Sequence, residues 1–547
     1  MTAVRRWARR FAIGTLSLPV VGGCSLVAYV KYREATKPPP HVFEPLITPE
    51  GELRLRDGKY PPPTSWELLM RVFELLWIFI PVTILYYVMS LSPAWYVSWL
   101  EMLLRAVERA GPAFVKCGQW SVTRRDLFPE QLRKVMEQLY SEVSQHPWPD
   151  SVRIIEEDLK QPLSALFDSI DPIPIGSGSI GQVHAAVLKS TKRRVVVKVM
   201  HPNVVETIAK DFWLINRLAA VVDRWFPSMG PYELPVQALS WTRHLAAQLD
   251  FRIEAEHLTL FRRNFEGTDY VEFPEPMGAT QRVLIESYCK GEAATNDYLS
   301  SQPESVRDII AGKGLSSFCK MMLRDNFLHG DLHPGNMLVD TSNPAKPVVN
   351  LIDVGLCQKL TDEEGARCNN LLSSFVHWKP EMCVQALMDM GHSQKFVDKK
   401  KFVDDTEELF QHYRPTTGEE EDVVSNILES MFDVMRVNRL SMDPTYVSIM
   451  WAVLVLEGFI MALNPEYNMV VHSAPWLVTE GHLSWSLVKN LTQAGMLTAR
   501  RHLTDWWQGV VPIAHETGEF KPKRRPKFAD RVGGKEFQVA VPQSAHS

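Results

Sequence analysis

The strongest chemical pattern in the sequence is HGDLHPGNMLV at residues 329–339. In this pattern Asp331 is followed five residues later by Asn336 and then by an apolar strand, which is the arrangement of a phosphotransferase catalytic loop. Asp331 could orient or deprotonate an attacking hydroxyl or water, and Asn336 could offer a neutral oxygen to Mg²⁺. The pattern therefore predicts phosphoryl-group chemistry at this loop.

A second acidic residue ends the next apolar run, VVNLIDVG at residues 348–355. Asp353 lies 17 residues after Asn336 and is predicted to sit at the end of a strand. A hard carboxylate in that place suits a magnesium ion that bridges the β- and γ-phosphates of a nucleotide. Asn336 and Asp353 are therefore the predicted metal ligands.

A glycine-rich run, GSGSIGQV at residues 176–183, lies between two apolar stretches and predicts a hairpin. Glycines allow backbone N–H groups to approach phosphate oxygens, and Val183 would lie over a base. Dinucleotide folds carry similar glycines but follow them with a helix, whereas a strand is expected here. A plain Gly-Ser loop is the alternative. The predicted nucleotide-binding residues of this run are Gly176, Ser177, Gly178, Ser179, Ile180, Gly181, Gln182 and Val183.

Lys198 lies inside the apolar run VVVKV, where a lysine is costly unless it is paired. In protein kinases such a lysine holds the α- and β-phosphates and is held by a glutamate on a helix. A lysine on an edge strand, facing solvent, is the alternative. Spacing alone does not choose its partner among Glu206, Asp211, Asp223, Glu233, Asp250 and Glu254. Asp250 and Glu254 would share one helical face.

Two features depart from an ordinary protein kinase. Gly330 stands where those enzymes carry an arginine, and no APE tripeptide follows Asp353. Regulation by phosphorylation of an activation loop is therefore not expected. The motif HGDxHxGN is typical of small-molecule and atypical kinases, which favours a non-peptide substrate.

The segment KCGQ at residues 116–119, taken with the motifs above and with QLDFRIEAEHL at 248–258, resembles the UbiB family of atypical kinase-like proteins, the aarF-domain proteins. The resemblance covers roughly residues 100–475, and GQWSVTRRDLFP at 118–129 is most similar to a mitochondrial branch. It implies an α+β, bilobal, atypical protein-kinase-like fold. A helical KxGQ extension would precede this fold, and further C-terminal helices would follow it.

The resemblance also implies roles for individual residues. Lys198 would pair with Glu254, and both would serve catalysis with Asp331. Glu286 is included among the nucleotide-binding residues, and ATP and Mg²⁺ are the expected cofactors. The KxGQ residues Lys116, Gly118 and Gln119 would lie across the active site and exclude large protein substrates; without the family, Lys116 and Gln119 would be interpreted as exposed polar residues of a helix.

The resemblance implies Mg²⁺-dependent ATP hydrolysis or phosphoryl transfer that supports coenzyme Q biosynthesis or mitochondrial lipid handling. The partner would be a lipophilic small molecule, such as a quinone precursor or lipid, or a coenzyme Q biosynthetic complex. Two departures qualify this expectation: the phosphate loop carries Gly and Ser where the family is usually alanine-rich, and Gln248 replaces the first acid of an ExD triplet. The alternatives are a nucleotide- or lipid-binding pseudokinase scaffold without turnover and a kinase for a soluble alcohol or amine.

Composition limits the class of partner. The chain has 547 residues, a formal net charge of -5 and a pI near 6.4, so it lacks the basic surplus typical of nucleic-acid binding. Its seven cysteines are scattered and never form a CxxC pair, which supports neither a disulfide framework nor a zinc site. A folded protein of a reducing compartment is expected.

The N-terminal part of the chain predicts targeting and membrane attachment. Residues 1–33 carry basic side chains and no acid, as in a mitochondrial presequence, although a secretory or ER signal-anchor is an alternative. Residues 75–97 carry no charge and are long enough to span a bilayer, with a buried helix or monotopic hairpin as the alternative. We expect a single-pass protein of the mitochondrial inner membrane. The predicted domains are a targeting segment at 1–36, a linker at 37–70, a transmembrane segment at 75–97, the helical KxGQ extension at 98–168, the atypical kinase domain at 169–475, and C-terminal helices with a polar tail at 476–547.

Overall fold

The structure is a computed structural model. It describes residues 53–55, 58–59, 63–123, 128–140, 145–226, 230, 233–332, 334–391, 394, 397–413, 424–464, 467, 469, 472–473 and 476. The predicted targeting segment and nearly all of the predicted C-terminal region lie outside the described residues. His333 of the catalytic-loop motif also lies outside them.

The described chain begins with two short paired strands and a long helical hairpin. Strands β1 (Arg54–Leu55) and β2 (Gly58–Lys59) pair antiparallel, and helices α1 (Ser65–Met89) and α2 (Pro93–Ala110) follow. Thr64 and Glu67 form a capping box that starts α1. The linker predicted at 37–70 therefore ends before Ser65.

The uncharged segment 75–97 does not form one helix, which corrects the prediction of a single continuous span. Helix α1 ends at Met89, and α2 begins at Pro93, where the missing N–H of proline suits a first helical position. Ser92, just before it, is extended. By length and apolar composition, two described helices could cross a membrane, α1 and a C-terminal helix at Pro444–Leu463.

The KxGQ extension, predicted at 98–168, is mainly helical in its described residues up to Leu166, and its last two residues begin a strand. It contains α3 (Pro112–Thr123), α4 (Glu130–Met136), a 3-10 turn (Glu137–Tyr140), α5 (Trp148–Leu159) and α6 (Leu163–Leu166). Helices α2, α3 and α4 share a small apolar core formed by Leu104, Val107, Val115, Val122, Met136 and Leu139. Gly118 lies in this core, and an added Cβ there would stand 2.2 Å from Leu139 Cδ1. A larger residue at position 118 would require the Leu139 side chain to move.

The first lobe is built on an antiparallel sheet. Its strands are β3 (Phe167–Ile170), β4 (Gly176–Ser177), β5 (Gly181–Leu188), β6 (Arg194–Met200), β7 (Pro276–Ala279) and β8 (Val283–Ser287). The order is β3-β5-β6-β8-β7, and β4 pairs with β5. Helices α7 (Val204–Trp225), α8 (Leu234–Ala247) and α9 (Phe251–Asn264) connect β6 to β7. One face of the sheet buries apolar side chains against α5.

The second lobe is mainly helical. Its short strands are β9 (Glu292–Ala293), β10 (Phe327–His329), β11 (Met337–Asp340), β12 (Val348–Leu351) and β13 (Cys357–Lys359), ordered β12-β11-β9 and β10-β13. Its helices are α10 (Asn296–Ser300), α11 (Glu304–Cys319), α12 (Asp362–His377), α13 (Pro380–Asp389), α14 (Lys399–Tyr413), α15 (Val424–Val437) and α16 (Pro444–Leu463). The apolar helix α16 is mostly buried in this lobe, as expected of a core helix. The predicted bilobal α+β architecture is confirmed.

Candidate nucleotide and metal site

Lys198 on β6 is paired with Glu254 on α9. Its Nζ lies 2.9 Å from each carboxylate oxygen of Glu254, and both side chains are largely removed from solvent. Asp250, four residues earlier, caps α9 and accepts a hydrogen bond from Arg252 Nη2 at 2.8 Å. The structure therefore places Glu254 against the lysine and directs Asp250 elsewhere.

The third charged residue, beside Lys198 and Glu254, is Asp353, which follows β12. Its Oδ1 lies 3.0 Å from Lys198 Nζ, and its backbone has a φ of +53°. Partial burial acts to raise the pKa of Asp353, but the positive charges of Lys198 and Lys116 hold that pKa below its ordinary value. Asp353 is therefore a carboxylate at neutral pH.

Burial also shifts the other charges of the cluster. It raises the pKa of Glu254 to about 7, while Lys198 acts in the opposite direction. For Lys198 itself, burial acts to lower the pKa, but the carboxylates of Asp353 and Glu254 raise it above its ordinary value. The lysine therefore keeps its positive charge in a mostly enclosed place.

The predicted catalytic loop is tied to the strand that precedes Asp353. Asn336 Nδ2 donates to the carbonyl of Asp331 at 2.9 Å, and Ile352 N donates to the carbonyl of Asn336 at 2.9 Å. Asp331 N donates to the ring of the buried His329 at 3.2 Å. These bonds fix the spacing between Asp331, Asn336 and the chain that leads to Asp353.

The glycine-rich run forms the predicted hairpin, with Gly176 paired to Val183 across β4 and β5. An added Cβ at Gly181 would stand 2.4 Å from the carbonyl oxygen of Val199, so β5 requires glycine there. At Gly176 a Cβ would meet nothing within 4 Å, and at Gly178 the nearest atom is 3.8 Å away. The loop thus leaves open space beside its backbone.

Two serines of this loop have unpartnered polar atoms. The hydroxyls of Ser177 and Ser179 are buried, and neither has a hydrogen-bond partner in the part of the chain that the structure describes. Phosphate oxygens would satisfy such donors. The loop therefore fits the phosphate groups of a nucleotide.

Strand register places several predicted residues on one face of the sheet. Val183 lies opposite Lys198 across β5 and β6, and one side-chain row further along Val196 lies opposite Glu286. Glu286 is buried, and burial, with Glu254 nearby, raises its pKa to about 8. This face therefore runs from the lysine to a second buried acid.

Not every predicted loop residue is free to bind a nucleotide. The side chain of Gln182 is buried and donates to Ser151 Oγ at 3.2 Å, while its Oε1 accepts from the backbone N–H of His146 at 3.0 Å. Ile180 belongs to the main apolar core. The side chains of Gln182 and Ile180 therefore serve packing, and a nucleotide would be met by the backbone at these two positions.

The KxGQ residues lie at the edge of the charged cluster. Lys116 is close enough to Asp353 for its charge to lower the pKa of that carboxyl. Gln119 Nε2 donates to the carbonyl of Leu139 at 2.8 Å, and Gly118 permits the close contact of α3 with the 3-10 turn. Lys116 thus adds positive charge that acts on Asp353, while Gln119 and Gly118 hold the helix that carries it.

Sequence reasoning missed a set of histidines beneath the glycine-rich loop. His201 Nε2 donates to the carbonyl of Gly178 at 2.8 Å, and His201 Nδ1 lies 2.7 Å from His146 Nδ1. His146 Nε2 lies 2.8 Å from Ser151 Oγ, which is 3.1 Å from His184 Nε2. The only sequence signal was that His201 directly follows the strand of Lys198.

The described residues contain no ready-made cluster of three or more His, Cys, Asp or Glu side chains that could hold a metal. The oxygens of Asn336 and Asp353 are hard ligands of the kind that Mg²⁺ takes together with phosphate oxygens and water. The residues present therefore fit a metal that arrives with a nucleotide.

Comparison with known proteins agrees with this geometry. Residues 138–387 match the ABC1 atypical kinase-like domain. An ABC1 family protein of Schizosaccharomyces pombe, named as mitochondrial, is 26% identical over 86% of this chain and 79% of its own. A probable protein kinase UbiB of Aliivibrio salmonicida is 28% identical over 75% of each chain. A probable serine/threonine-protein kinase of Dictyostelium discoideum is 36% identical over 50% of this chain and 40% of its own.

The matched region contains the glycine-rich hairpin, the Lys198–Glu254 pair, the Asp331–Asn336 loop and Asp353. Two of the relatives that span most of the chain, those of Schizosaccharomyces pombe and Saccharomyces cerevisiae, are named as mitochondrial, which supports a mitochondrial location. Over residues 138–387 the chain matches the ABC1 atypical kinase-like domain, and over most of its length it is similar to proteins of the UbiB/ABC1 type.

Proposed function

We propose that the protein binds ATP with Mg²⁺ and uses it for hydrolysis or for phosphoryl transfer to a non-protein target. The observation that carries this proposal is the convergence of three distant residues: Lys198 Nζ lies within 3.0 Å of both Glu254 and Asp353. A paired lysine and an ionised aspartate beside an open glycine-rich loop suit a bound triphosphate.

Each residue has a distinct role in this proposal. Lys198, oriented by Glu254, would hold phosphate oxygens, and the backbone and serines of the glycine-rich loop would cover the phosphates. Asn336 and Asp353 would hold Mg²⁺, which when bound neutralises charge on the phosphates. Asp331 would orient the attacking hydroxyl or water and accept its proton.

The target of this chemistry is proposed to be lipophilic and mitochondrial. Helix α3 carries Lys116, whose charge acts on Asp353, and this supports the proposal that the KxGQ helix covers the site and excludes large protein substrates. The long apolar helix α1 gives the protein a candidate membrane element. Similarity to a UbiB protein and to a protein named as mitochondrial supports a mitochondrial role in coenzyme Q biosynthesis or lipid metabolism. The proposed target is a quinone precursor, a lipid or a biosynthetic complex.

A scaffold that binds nucleotide or lipid without turnover is the second candidate. Gln248 favours it, because an amide stands where a carboxylate could have added to the metal site, and its buried Oε1 has no partner among the described residues. Retention of Lys198, Asp331, Asn336 and Asp353 favours the enzyme.

A steady-state ATPase assay on the purified full chain with liposomes tests this proposal. Asp353→Asn should lower Mg²⁺-dependent ADP release by at least about 100-fold, because removal of one electrostatic group at a transferring phosphate costs roughly that factor. Asp223→Asn, an exposed acid on α7, is the matched control and should leave the rate unchanged. Equal background rates in the wild type and Asp353→Asn would leave only the scaffold.

Metabolite profiling of cells that lack the protein tests the target. Changed quinone or fatty-acid pools would support a lipophilic target. Unchanged pools together with accumulation of a hydrophilic alcohol would instead support a kinase for a soluble small molecule.

A further inference from the structure

Helices α1 and α2 form an antiparallel hairpin that keeps one register along its length. Trp99 Nε1 donates to the carbonyl of Val82 at 2.8 Å, and the ring of Trp99 packs on that of Tyr86 at 4.9 Å. At the other end, the guanidinium of Arg71 donates to the carbonyl of Ala110. Val82 and Trp99 are equally far from the turn, as are Arg71 and Ala110, so heights along the two helices can be matched residue by residue.

The end of the hairpin next to the turn carries no charge. Residues 81–100 contain no Asp, Glu, Lys, Arg or His. The first charged side chains below them are on α2, where Glu101 and Arg105 are 55% and 75% exposed. By the register above, Glu101 lies level with Ile80 on α1. We call residues 81–100 the tip and Glu101 with Arg105 the collar.

The height of the tip is less than the thickness of a bilayer. Ten residues of helix separate the turn from the collar, which at 1.5 Å per residue is about 15 Å. The hydrocarbon core is about 30 Å thick, and charged side chains near its centre are strongly disfavoured. If the tip enters a membrane up to the collar, the turn reaches only the middle of the bilayer.

The surface of the tip is apolar and its turn is internally bonded. Its large exposed apolar side chains are Ile84, Leu85, Tyr87, Val88, Leu91, Trp95 and Val97. The N–H groups of Ser90, Leu91 and Ser92 donate to the carbonyls of Tyr86, Val88 and Met89. A turn placed in hydrocarbon must satisfy its donors in this way, because no water is there to accept from them.

The base of the hairpin is fixed to the lobes that carry the site. Arg71 makes a two-pronged ion pair with Asp211 of α7, with N–O distances of 2.8 and 2.9 Å. The beginning of α1 and the end of α2 therefore lie on the same side as the catalytic cleft. A helix that crossed the membrane once would place its two ends on opposite sides.

We infer that the α1–α2 hairpin embeds its apolar tip in a single leaflet of a lipid bilayer, with the collar at the headgroups and both ends of the hairpin on the side of the catalytic cleft. The uncharged tip and the charged collar match the uncharged acyl region and the polar headgroup layer of one leaflet. This inference rests on the membrane attachment in the proposed function, replaces the predicted single-pass topology, and does not depend on ATP turnover.

A double-cysteine variant tests the topology independently of how the protein is oriented. Ser65→Cys marks the start of α1, and Ser190→Cys marks the exposed end of the β5–β6 loop in the first lobe. The full chain is reconstituted in sealed phosphatidylcholine vesicles, treated with a membrane-impermeant maleimide and analysed by mass spectrometry, with the unmodified chain as the background for native cysteines. The hairpin predicts that each molecule gains either two labels or none. A population carrying one label, which gains the second only in detergent, would overturn the inference.

Vesicle flotation tests whether the tip is the attachment surface. Leu91→Lys places a charge at the exposed turn and should lower the ratio of vesicle-bound to unbound protein by about 100-fold. This is the effect expected of a lysine near the bilayer centre. Ile173→Lys, equally exposed but in the first lobe, should float like the wild type. Wild type that fails to float, or Leu91→Lys that floats like Ile173→Lys, would contradict the inference. Because neither readout uses ATP, failure of the ATPase proposal would not affect it.

Discussion

At the residue scale, the site is dominated by one lysine shared between two acids. Lys198 Nζ lies 2.9 Å from Glu254 and 3.0 Å from Asp353, so its charge serves both a structural pair and the proposed metal ligand. Glu254 has the higher pKa of the two acids, and Asp353 has a pKa below its ordinary value. A proton released in the cluster would therefore be held by Glu254, while Asp353 stays available as an anion.

The histidines beneath the loop form a chain whose protons can be assigned from geometry. The carbonyl of Gly178 can only accept, so His201 Nε2 carries a proton and His201 Nδ1 accepts from His146 Nδ1. His146 Nε2 then accepts from the hydroxyl of Ser151. Both imidazoles are neutral in this arrangement, and a further proton on His201 Nδ1 would set two N–H groups against each other.

These hydrogen-bonded histidines predict that the protein loses stability in acid. Burial and the neighbouring His201 lower the pKa of His146 to about 4, below the value near 6.5 of an unfolded histidine. As the pH falls from 6.5 towards 4 the unfolded chain binds the proton first, so this contribution to the free energy of unfolding is present above pH 6.5 and declines below it. We expect His146→Asn to reduce the pH dependence between pH 7 and 5 by about 1–2 kcal/mol, allowing for partial exposure.

The measurement is urea unfolding of wild type and His146→Asn at several pH values. Burial raises the pKa of Glu254 and Glu286, so their contribution to stability runs in the opposite direction, but it is common to both proteins and cancels in the difference. Parallel pH profiles for the two proteins would show that His146 is not held neutral by the fold.

At the level of secondary structure, the glycine-rich hairpin contains one glycine that packing requires, Gly181, and one that borders the proposed phosphate site, Gly178. Gly181→Ala would push a Cβ against the carbonyl of Val199 on β6, whereas Gly178→Ala would enter open space. We expect Gly181→Ala to destabilise the protein by about 1–3 kcal/mol and Gly178→Ala by less than about 1 kcal/mol. Gly178→Ala should instead weaken ATP binding, since its Cβ occupies the space where phosphate would lie.

Thermal unfolding and ATP affinity, measured on both variants, distinguish these effects. The two glycines lie in the same loop, so each variant is a matched control for the other. Equal loss of stability in both, with unchanged ATP affinity in Gly178→Ala, would mean that the loop does not hold phosphates.

The sequence predicted most of these elements because they are local. The hairpin of the glycine-rich run, the strand of Lys198 and the strand that precedes Asp353 each follow from apolar runs and glycines. The partner of Lys198 could not be chosen among six acids from spacing, because the pair joins residues 56 positions apart through tertiary packing. The motif resemblance, not the spacing, identified Glu254.

Other features could not be predicted from the sequence because they depend on packing between elements. The roles of Gln182 and His146 are set by hydrogen bonds between the extension and β5, and no pattern within either segment shows them. The uncharged run at 75–97 could not distinguish one span from two helices, although Pro93 marks the start of the second. The targeting segment stays a prediction.

At the scale of the whole molecule, a buried ion pair connects the hairpin to the lobes. Arg71 and Asp211 are both buried, and Arg71 also donates to the carbonyl of Ala110. Because a buried charge without its partner is costly, Asp211→Asn should lower the free energy of unfolding by about 3–5 kcal/mol. Arg105→Met, which removes an exposed arginine of the collar, should change it by less than about 0.5 kcal/mol.

Unfolding of both variants in detergent micelles measures this difference directly. The ion pair sets the position of the hairpin relative to the cleft, so its loss should also make α1 more accessible to protease. Similar stabilities for Asp211→Asn and Arg105→Met would mean that the hairpin is not rigidly joined to the lobes.

In the proposed function, residues distant in the chain form one site for a magnesium-bound triphosphate. Titration calorimetry of ATP into the purified full chain, with and without Mg²⁺, measures this binding. We predict that the wild type binds ATP more tightly with Mg²⁺, that Lys198→Met binds at least about 10-fold more weakly, as expected for loss of a charged hydrogen bond, and that Asp353→Asn loses the dependence on Mg²⁺. Undiminished, Mg²⁺-dependent ATP binding in both variants, or no ATP binding by the wild type, would show that these residues do not form a nucleotide site.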